Sequence, residues 1–388
     1  MPTTVATIVT RCVAGAGGVA VRGVVGLDPG QYRRILIAGS GGDLLERARA
    51  HGIQVHLVPE LVSPVDPRRD VVALARLVRL LRRLDVDVVH THSAKAGALG
   101  RLAARRVGVQ RVVHTLHGFP FHDFQPPATR GLYVGIERRL AAITDAFLAV
   151  GTAVAVEAIR LGLARPEQIR TIGPAVEPPT VLWSPVARAH ARDLLGLPDG
   201  VPVVGTVGRL DYQKAPEVMV EALARLGPPV VLVWAGDGPL MDETRRRVRG
   251  LGLESRVHLL GNRDDVPAIL PAFDVFAMSS RYEGLPCSIV EAQQCGVPVV
   301  ATAVNAVGDV VVPGESGLLV PPERPDLLAR ALAHALAHPE QAAGWVDTAR
   351  LQLGQRYDPR TLATTLAEVY RGGDRPGRPA LDTWRVPA

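Results

Sequence analysis

Two short stretches hold the side chains best suited to chemistry on a phosphorylated ligand. The first, "GRLDYQK" from Gly208 to Lys214, follows an apolar run and precedes a helical one. A tight turn there would set Arg209 and Lys214 beside a helix N-terminus. A bidentate anion binder, a flexible point charge and free backbone amides then converge, which suits a diphosphate better than a solvated loop. Lys214 is one of only two lysines, with Lys95, among 44 basic residues, so its presence in this turn is informative. The second stretch, "RYEGLPCSIVEAQQCGVPVV" from Arg281 to Val300, carries a Gly-Leu-Pro turn into a helix whose first amides can hold an anion or sugar hydroxyls. Glu283 lies in the turn and Glu291 on the helix; carboxylates accept well from vicinal hydroxyls such as those of a ribose or a hexose. A glutamate favouring the helix dipole would explain Glu283, but not Glu291 in the C-terminal half of an otherwise apolar helix.

Other chemical signals have plainer readings. Gly15, Gly17 and Ala20 after the first apolar run form a weak dinucleotide fingerprint, and no acidic residue ends the second run to bind an adenosine ribose. Asp85 and Asp87 make a D-x-D that enters a strand rather than ending one, a poor position for a pair holding a metal on a phosphorylated ligand. His90, His92, His114, His117 and His122 crowd a short region and invite a zinc reading, but no cysteine lies near, and core or cleft-edge histidines are the simpler account. Leu77 to Arg83 ends a basic amphipathic helix that could touch anionic lipid weakly, although a sheet-covering helix with an arginine-rich outer face explains it as well.

The elements that must position these residues alternate almost from end to end, short β-branched runs with helix-length amphipathic ones. Strands are expected near Val5–Val9, Arg34–Ala38, Gln54–Val58, Val86–His90, Arg111–Thr115, Ala146–Val150 and Arg170–Ile172. Helices fall between most of them, from Asp43–Ala50 to Ala153–Leu161. "GPAVEPPTVLWSP", Gly173 to Pro185, breaks the rhythm with four prolines and reads as a linker. Strands then resume near Val203–Val207, Val230–Trp234, Val257–Leu260, Val275–Ala277 and Val297–Ala301, followed by helices near Pro325–Ala337, Pro339–Leu353 and Asp358–Arg371. The fold class is α/β: two doubly wound Rossmann-like halves, with a ligand cleft where the carboxyl ends of both sheets point.

At roughly 150 residues per domain, 388 residues favour two domains. Hydrophobic residues at 47% exclude a disordered chain, and the longest uncharged stretch, residues 292–308, is too polar to span a membrane. No basic flank precedes the N-terminal apolar residues, so no signal peptide is expected. Cys12, Cys287 and Cys295 lack metal-ligand spacing and fit free thiols in a reducing compartment, the cytoplasm. Arginine in place of lysine, with abundant Ala, Val, Gly and Pro, reflects a GC-rich coding bias of actinobacterial type rather than nucleic-acid binding, and the net charge is only +6.

"GRLDYQK", "AGDGPL" at Ala235–Leu240, "VHLLGNRDDVP" at Val257–Pro267, the Glu283/Glu291 pair, "CGVPVVAT" and "GESGLLVPP" resemble, in order and spacing, retaining glycosyltransferase family 4. "DVVHTHSAKAGALGRLAA" and "VVHTLHGFPFHDF" extend the likeness to the first half, in the manner of exopolysaccharide- and antibiotic-type members; coverage runs from about residue 5 to 371. The resemblance implies a GT-B fold, with an acceptor domain over 1–180, a nucleotide-sugar donor domain over 181–355, and 356–388 crossing back onto the first. It also implies a nucleoside-diphosphate sugar (UDP, GDP or another) as co-substrate, with no separate cofactor, no metal, and transfer with retention to a small-molecule, glycan or lipid-linked acceptor. Carried over by position, Arg209 and Lys214 neutralise the diphosphate and Glu291 holds the ribose. Glu283 and the amides of Gly284 and Leu285 hold the donor sugar, and Asn262 and Arg263 border the nucleobase. Gly17 and Gly18 approach the donor phosphates or the acceptor, and His117 lies beside the donor sugar. Asn305, Ala306 and Asp309 stand where the family often has Gly-Gly and then Glu, and "IGPAVE" at Ile172–Glu177 replaces a common linker motif. The rival readings are a non-hydrolysing nucleotide-sugar 2-epimerase, a nucleotide-sugar-binding protein without catalysis and, more distantly, an NAD-dependent oxidoreductase.

Overall fold

The computed structural model describes residues 1–13, 15–119, 121, 125–198 and 200–372. His122 and the tail beyond Gly372 lie outside the described residues. The chain forms two units, Met1–Ala175 joined by the chain from Arg356 onward, and Val176–Gln355.

The first unit is built from β1 (Thr3–Cys12), α1 (Ala16–Gly26), β2 (Tyr32–Gly41), α2 (Asp43–Ala50), β3 (Gln54–Leu57), α3 (Pro67–Leu84), β4 (Val88–His92), α4 (Ala94–Val107), β5 (Arg111–Leu116), α5 (Pro127–Ala141), β6 (Ala146–Ala149), α6 (Thr152–Arg160) and β7 (Ile169–Thr171). Its sheet is parallel, in the order β3-β2-β1-β4-β5-β6-β7. Helices cover such a sheet on both faces, so β1 is buried almost throughout, Thr4, Thr7 and Thr10 along with its apolar residues. The second unit holds α7 (Pro185–Leu195), β8 (Val203–Val207), α8 (Pro216–Arg225), β9 (Val231–Ala235), α9 (Met241–Gly250), β10 (Val257–Gly261), α10 (Val266–Ile269), β11 (Val275–Met278), α11 (Cys287–Cys295), β12 (Val299–Thr302), β13 (Leu318–Val320), α12 (Pro325–Ala337) and α13 (Pro339–Leu353). Its parallel sheet runs β10-β9-β8-β11-β12-β13. The last helix, α14 (Pro359–Arg371), belongs to the first unit and is capped by Asp358, whose Oδ1 accepts from Arg360 N at 2.7 Å.

Each sheet reverses its strand order at one place, between β1 and β4 and between β8 and β11. Loops leaving the carboxyl ends there diverge and open a crevice.

Several elements differ from the sequence-based expectations. Helix α1 is absent from them, because Gly17, Gly18, Gly23 and Gly26 depress helix propensity. Packing supplies what propensity lacks: Val19, Ala20, Val21 and Val24 are buried, and the bare glycines let α14 approach. A Cβ at Gly26 would stand 2.8 Å from Ala363 Cβ, and one at Gly23 2.8 Å from Leu366 Cδ1. Strand β4 begins at Val88 rather than Val86 and runs to His92. Asp85 ends α3 in the left-handed region (φ 49°), and the Asp87 carboxylate accepts from Thr4 N at 2.8 Å. The first unit ends at Ala175, ahead of the expected boundary at residue 180. Residues after it are tied to the second unit, Trp183 N donating to Cys295 O at 2.7 Å. Helix α7 is likewise absent from the expectations, its start masked by the proline-rich stretch; Ser184 caps it, Oγ accepting from Ala187 N at 3.1 Å. Strand β13 is only three residues long and carries little pattern.

Candidate active site

In the second unit the loops after β8 and β11 meet. Gly208 opens the first loop, its carbonyl accepting from Trp234 Nε1 at 2.8 Å and its N–H donating to Ala235 O at 3.0 Å. "AGDGPL" is the floor of this turn. Gly236 (φ 146°) lies so close that a Cβ there would stand 2.0 Å from Gly208 O, and one at Gly238 2.2 Å from Leu210 O. The turn closes on Asp211, whose Oδ1 accepts from Lys214 N at 3.1 Å while Oδ2 takes the Arg209 guanidinium at 2.5 Å. Ser279, just past β11, has Oγ within hydrogen-bond reach of the carbonyls of Lys214 (2.8 Å) and Ala215 (3.1 Å), so the end of one strand holds the loop of its neighbour.

Glu283 is 8% exposed and fully engaged on one side. Its Oε1 receives Lys214 Nζ at 2.5 Å and Ser280 Oγ at 2.6 Å, and its Oε2 receives Gln213 Nε2 at 3.1 Å. Its backbone N–H donates to Asn305 Oδ1 at 2.9 Å, and Thr302 Oγ1 donates to Ser280 O at 2.6 Å, so the loop after β12 braces the one after β11. A carboxylate has about four lone-pair sites, so Oε2 retains capacity for a hydroxyl, and the Lys214 ammonium has two further hydrogens. Arg281 is a tie rather than a ligand: it pairs with Glu217 and Glu323, donates to Tyr212 O at 2.7 Å and lies 4.1 Å over the Tyr212 ring.

Gly284 and the buried Leu285 lead into α11, where Glu291 is half-buried. Asn262, exposed, and Arg263 follow the edge strand β10, with β9 between it and β8. Arg263 pairs with Asp265, Nε to Oδ1 at 2.7 Å, and this hydrogen bond holds the Asp265 carboxyl below the usual carboxylate range.

In the first unit Gly15 (φ 69°) turns the chain from β1 into α1. A Cβ at Gly17 would stand 2.8 Å from Arg11 O, whereas one at Gly18 would meet only the Arg22 guanidinium, at 3.0 Å. His117 follows β5 and has Nε2 2.9 Å from Nδ1 of His92, the last residue of β4. His90 lies between Tyr370 OH (Nδ1, 2.6 Å) and Thr115 Oγ1 (Nε2, 2.7 Å), and His114 Nδ1 is 2.8 Å from Thr91 Oγ1. These four histidines therefore bond to one another and to hydroxyls. Burial pulls His90 down to about 3 and His117, with Arg22 adding repulsion, to about 4; His92 and His114 are also pulled well below the ordinary value, chiefly by burial. All four rings are neutral at pH 7.

Residues 15–178 match the family described as Glycosyltransferase Family 4, and residues 188–352 match Glycosyl transferases group 1. An Escherichia coli UDP-Gal:alpha-D-GlcNAc-diphosphoundecaprenol alpha-1,3-galactosyltransferase is 34% identical over 65% of this chain and 67% of its own. The 2-deoxystreptamine glucosyltransferase of Streptomyces kanamyceticus is 33% identical over 69% and 72%. This chain belongs to the GT-B glycosyltransferases of family 4 type. The fold of this glycosyltransferase is also that of Anabaena HepE, solved with UDP and glucose, at a TM-score of 0.83 and 22% identity over 95% of this chain and 100% of that one.

Of the residues expected at the glycosyltransferase site, Lys214 and Glu283 touch; Gly17, Gly18 and His117 lie in the first unit and the others in the second. Sequence reasoning missed Asp211, Gln213, Ser280 and His92, and marked Asn305 only as a departure. Of these, Asp211 and Gln213 lie inside the "GRLDYQK" motif without being singled out, and His92 left a trace by sharing a strand face with His90 at a spacing of two.

Proposed function

We propose that this glycosyltransferase takes a sugar from a nucleoside-diphosphate sugar and passes it, with retention of anomeric configuration and without metal or other cofactor, to a hydroxyl of a small-molecule, glycan or lipid-linked acceptor. The observation that carries this reading is the Lys214–Glu283 contact of 2.5 Å at the β8/β11 crevice. A cation and a hydroxyl-accepting carboxylate stand side by side there, as the diphosphate and hexose do in the donor. Arg209 and Lys214 take the diphosphate, Glu283 with the amides of Gly284 and Leu285 takes the sugar, and Glu291 takes the ribose. Asn262 and Arg263 border the base. Gly17 and Gly18 approach the phosphates or acceptor, and His117 lies beside the sugar. The bond from the anomeric carbon to the phosphate oxygen breaks, leaving its electron pair on the diphosphate. The acceptor oxygen bonds that carbon on the same face, and its proton passes to the departing phosphate. Arg209 and Lys214 stabilise the charge that develops. His117, neutral, orients rather than acting as an obligatory base.

The solved Anabaena protein binds UDP and the E. coli relative is named for UDP-Gal, which together support a uridine nucleotide. The diphosphoundecaprenol acceptor of that relative supports a lipid-linked one. Among the described residues no helix is long and apolar enough to cross a membrane. The exposed face of α3, with Arg68, Arg69, Arg76, Arg79, Arg82 and Arg83 beside Val71 and Val72, suits weak contact with anionic headgroups from the cytoplasmic side. Asp85 caps α3 and Asp87 holds Thr4 at the amino end of the first sheet, which supports catalysis without a metal on that pair. The test is UDP titrated by calorimetry, followed by NMR of the glucose released from UDP-glucose in water. UDP should bind and α-glucose should appear first. Failure to bind either UDP or GDP removes the donor reading, and β-glucose as first product removes retention.

A further inference from the structure

His92 is 3% exposed, and among the described residues its ring makes one hydrogen bond, to His117. Its Nε2 is buried without a partner among the described residues, in surroundings that include Val19, Ala20 and Val24 of α1. Both rings are neutral at pH 7, so a single hydrogen lies between the facing nitrogens. Two arrangements are possible. If His117 donated, His92 would carry its own hydrogen on Nε2 and bury an N–H with no acceptor. If His92 donates, the orphan is a bare lone pair. Buried N–H groups without acceptors are rarer in proteins than acceptors short of a donor, which selects the second.

The backbone supports a built arrangement. Ser93, directly after His92, has φ 65° and ψ 160°, a region that non-glycine residues rarely adopt. It is held there by a 2.9 Å bond between its Oγ and Thr10 Oγ1, while Thr10 Oγ1 also accepts from Ala96 N at 3.1 Å. The carboxyl end of β4 is thereby locked to β1 at the crevice of the sheet.

We propose that His92 is a positioning residue that donates its Nδ1–H to Nε2 of His117, so that His117 is fixed as the Nδ1–H tautomer and offers that hydrogen, not a lone pair, to the donor sugar. The tautomer that a histidine adopts is set by the hydrogen bond its other nitrogen makes. The clause concerning the sugar rests on the donor reading above; the tautomer does not.

The test uses the full-length protein labelled with ¹⁵N-histidine and long-range proton–nitrogen correlation, His117 being assigned by loss of its signals in His117→Gln. The expected spectrum shows His117 protonated at Nδ1. An Nε2–H His117 in the unaltered protein overturns the proposal and needs no variant that might misfold. His92→Asn keeps an amide donor near the position of Nδ1, so it should preserve the tautomer and most of kcat. His92→Phe fills the space without a donor and should lose the fixed tautomer and lower kcat about tenfold or more, with a smaller change in donor KM. Unchanged tautomer and kcat in His92→Phe would also overturn it. An Nδ1–H His117 in a protein that binds neither UDP nor GDP would count against the donor reading alone.

Discussion

Lys214 and Glu283 each depend on the other, and the contact can be tested from both ends. Lys214→Ala should weaken nucleoside-diphosphate binding by about 1.5–3 kcal/mol, the worth of a charge-assisted hydrogen bond, and leave nucleoside binding nearly unchanged. Calorimetric titrations of UDP and uridine showing equal losses would remove the phosphate contact. The same variant leaves a buried carboxylate without its cation, so its melting temperature should fall and recover in part when Glu283→Gln is added. Asn305 separates backbone from side chain. It sits at φ 42°, which glycine adopts without strain, and its Oδ1 holds Glu283 N. Asn305→Gly should therefore keep or raise stability while donor KM increases; an unchanged KM would show that this brace does nothing for Glu283.

Helix α1 is held to the end of β1 at one glycine and open at the next. An alanine Cβ at position 17 would press on Arg11 O at 2.8 Å and Cys12 Cα at 3.0 Å, both backbone atoms. At position 18 it would meet the Arg22 guanidinium, which can swing aside. Gly17→Ala should cost about 1–3 kcal/mol through overpacking, and Gly18→Ala should be neutral or stabilising by up to about 1 kcal/mol through helix propensity. Denaturant midpoints for the two variants decide this, and equal effects would mean that α1 does not sit where its contacts place it. The α1–α14 contact at Gly26 and Ala363 works in the same way, and through α14 it carries Tyr370 to His90.

The two units should answer acid differently. His90, His92, His114 and His117 all lie in the first unit with pKa values depressed below 6.5. The unfolded chain binds protons there before the folded one does, so stability is lost as pH falls from about 6.5 toward 4, at up to about 1.4 kcal/mol per pH unit for each ring. His258 is the one histidine of the second unit with a resolved downward shift, also from burial, and the depressed carboxyls of Asp265 and Asp326 act lower on the pH scale. Calorimetric scans from pH 7.5 to 5 should show the first unit's transition moving down further than the second's. Equal movement would mean that the imidazoles are not buried neutral. Chelator should leave turnover largely intact, because Asp85 and Asp87 are spent on the architecture of the amino edge; loss of activity with EDTA, restored by one divalent ion, would return attention to them.

The alternation of β-branched and amphipathic runs, the cap at Asp358 and the motifs at Gly208–Lys214 and Arg281–Val300 are local properties, fixed by residues within a turn or two of one another. They are enough to read two doubly wound halves and to choose Arg209, Lys214, Glu283 and Glu291. Contacts between distant positions are not legible. Lys214 and Glu283 are 69 residues apart in sequence, and Asn305 is 22 from the amide it holds. Only the order β8-β11-β12 makes them neighbours, and strand order leaves no periodic mark on a chain. Helix α1 is illegible for a related reason: its glycines argue against a helix locally and are required by the approach of α14, more than 300 residues later, so that its stability comes from packing and not from its own sequence.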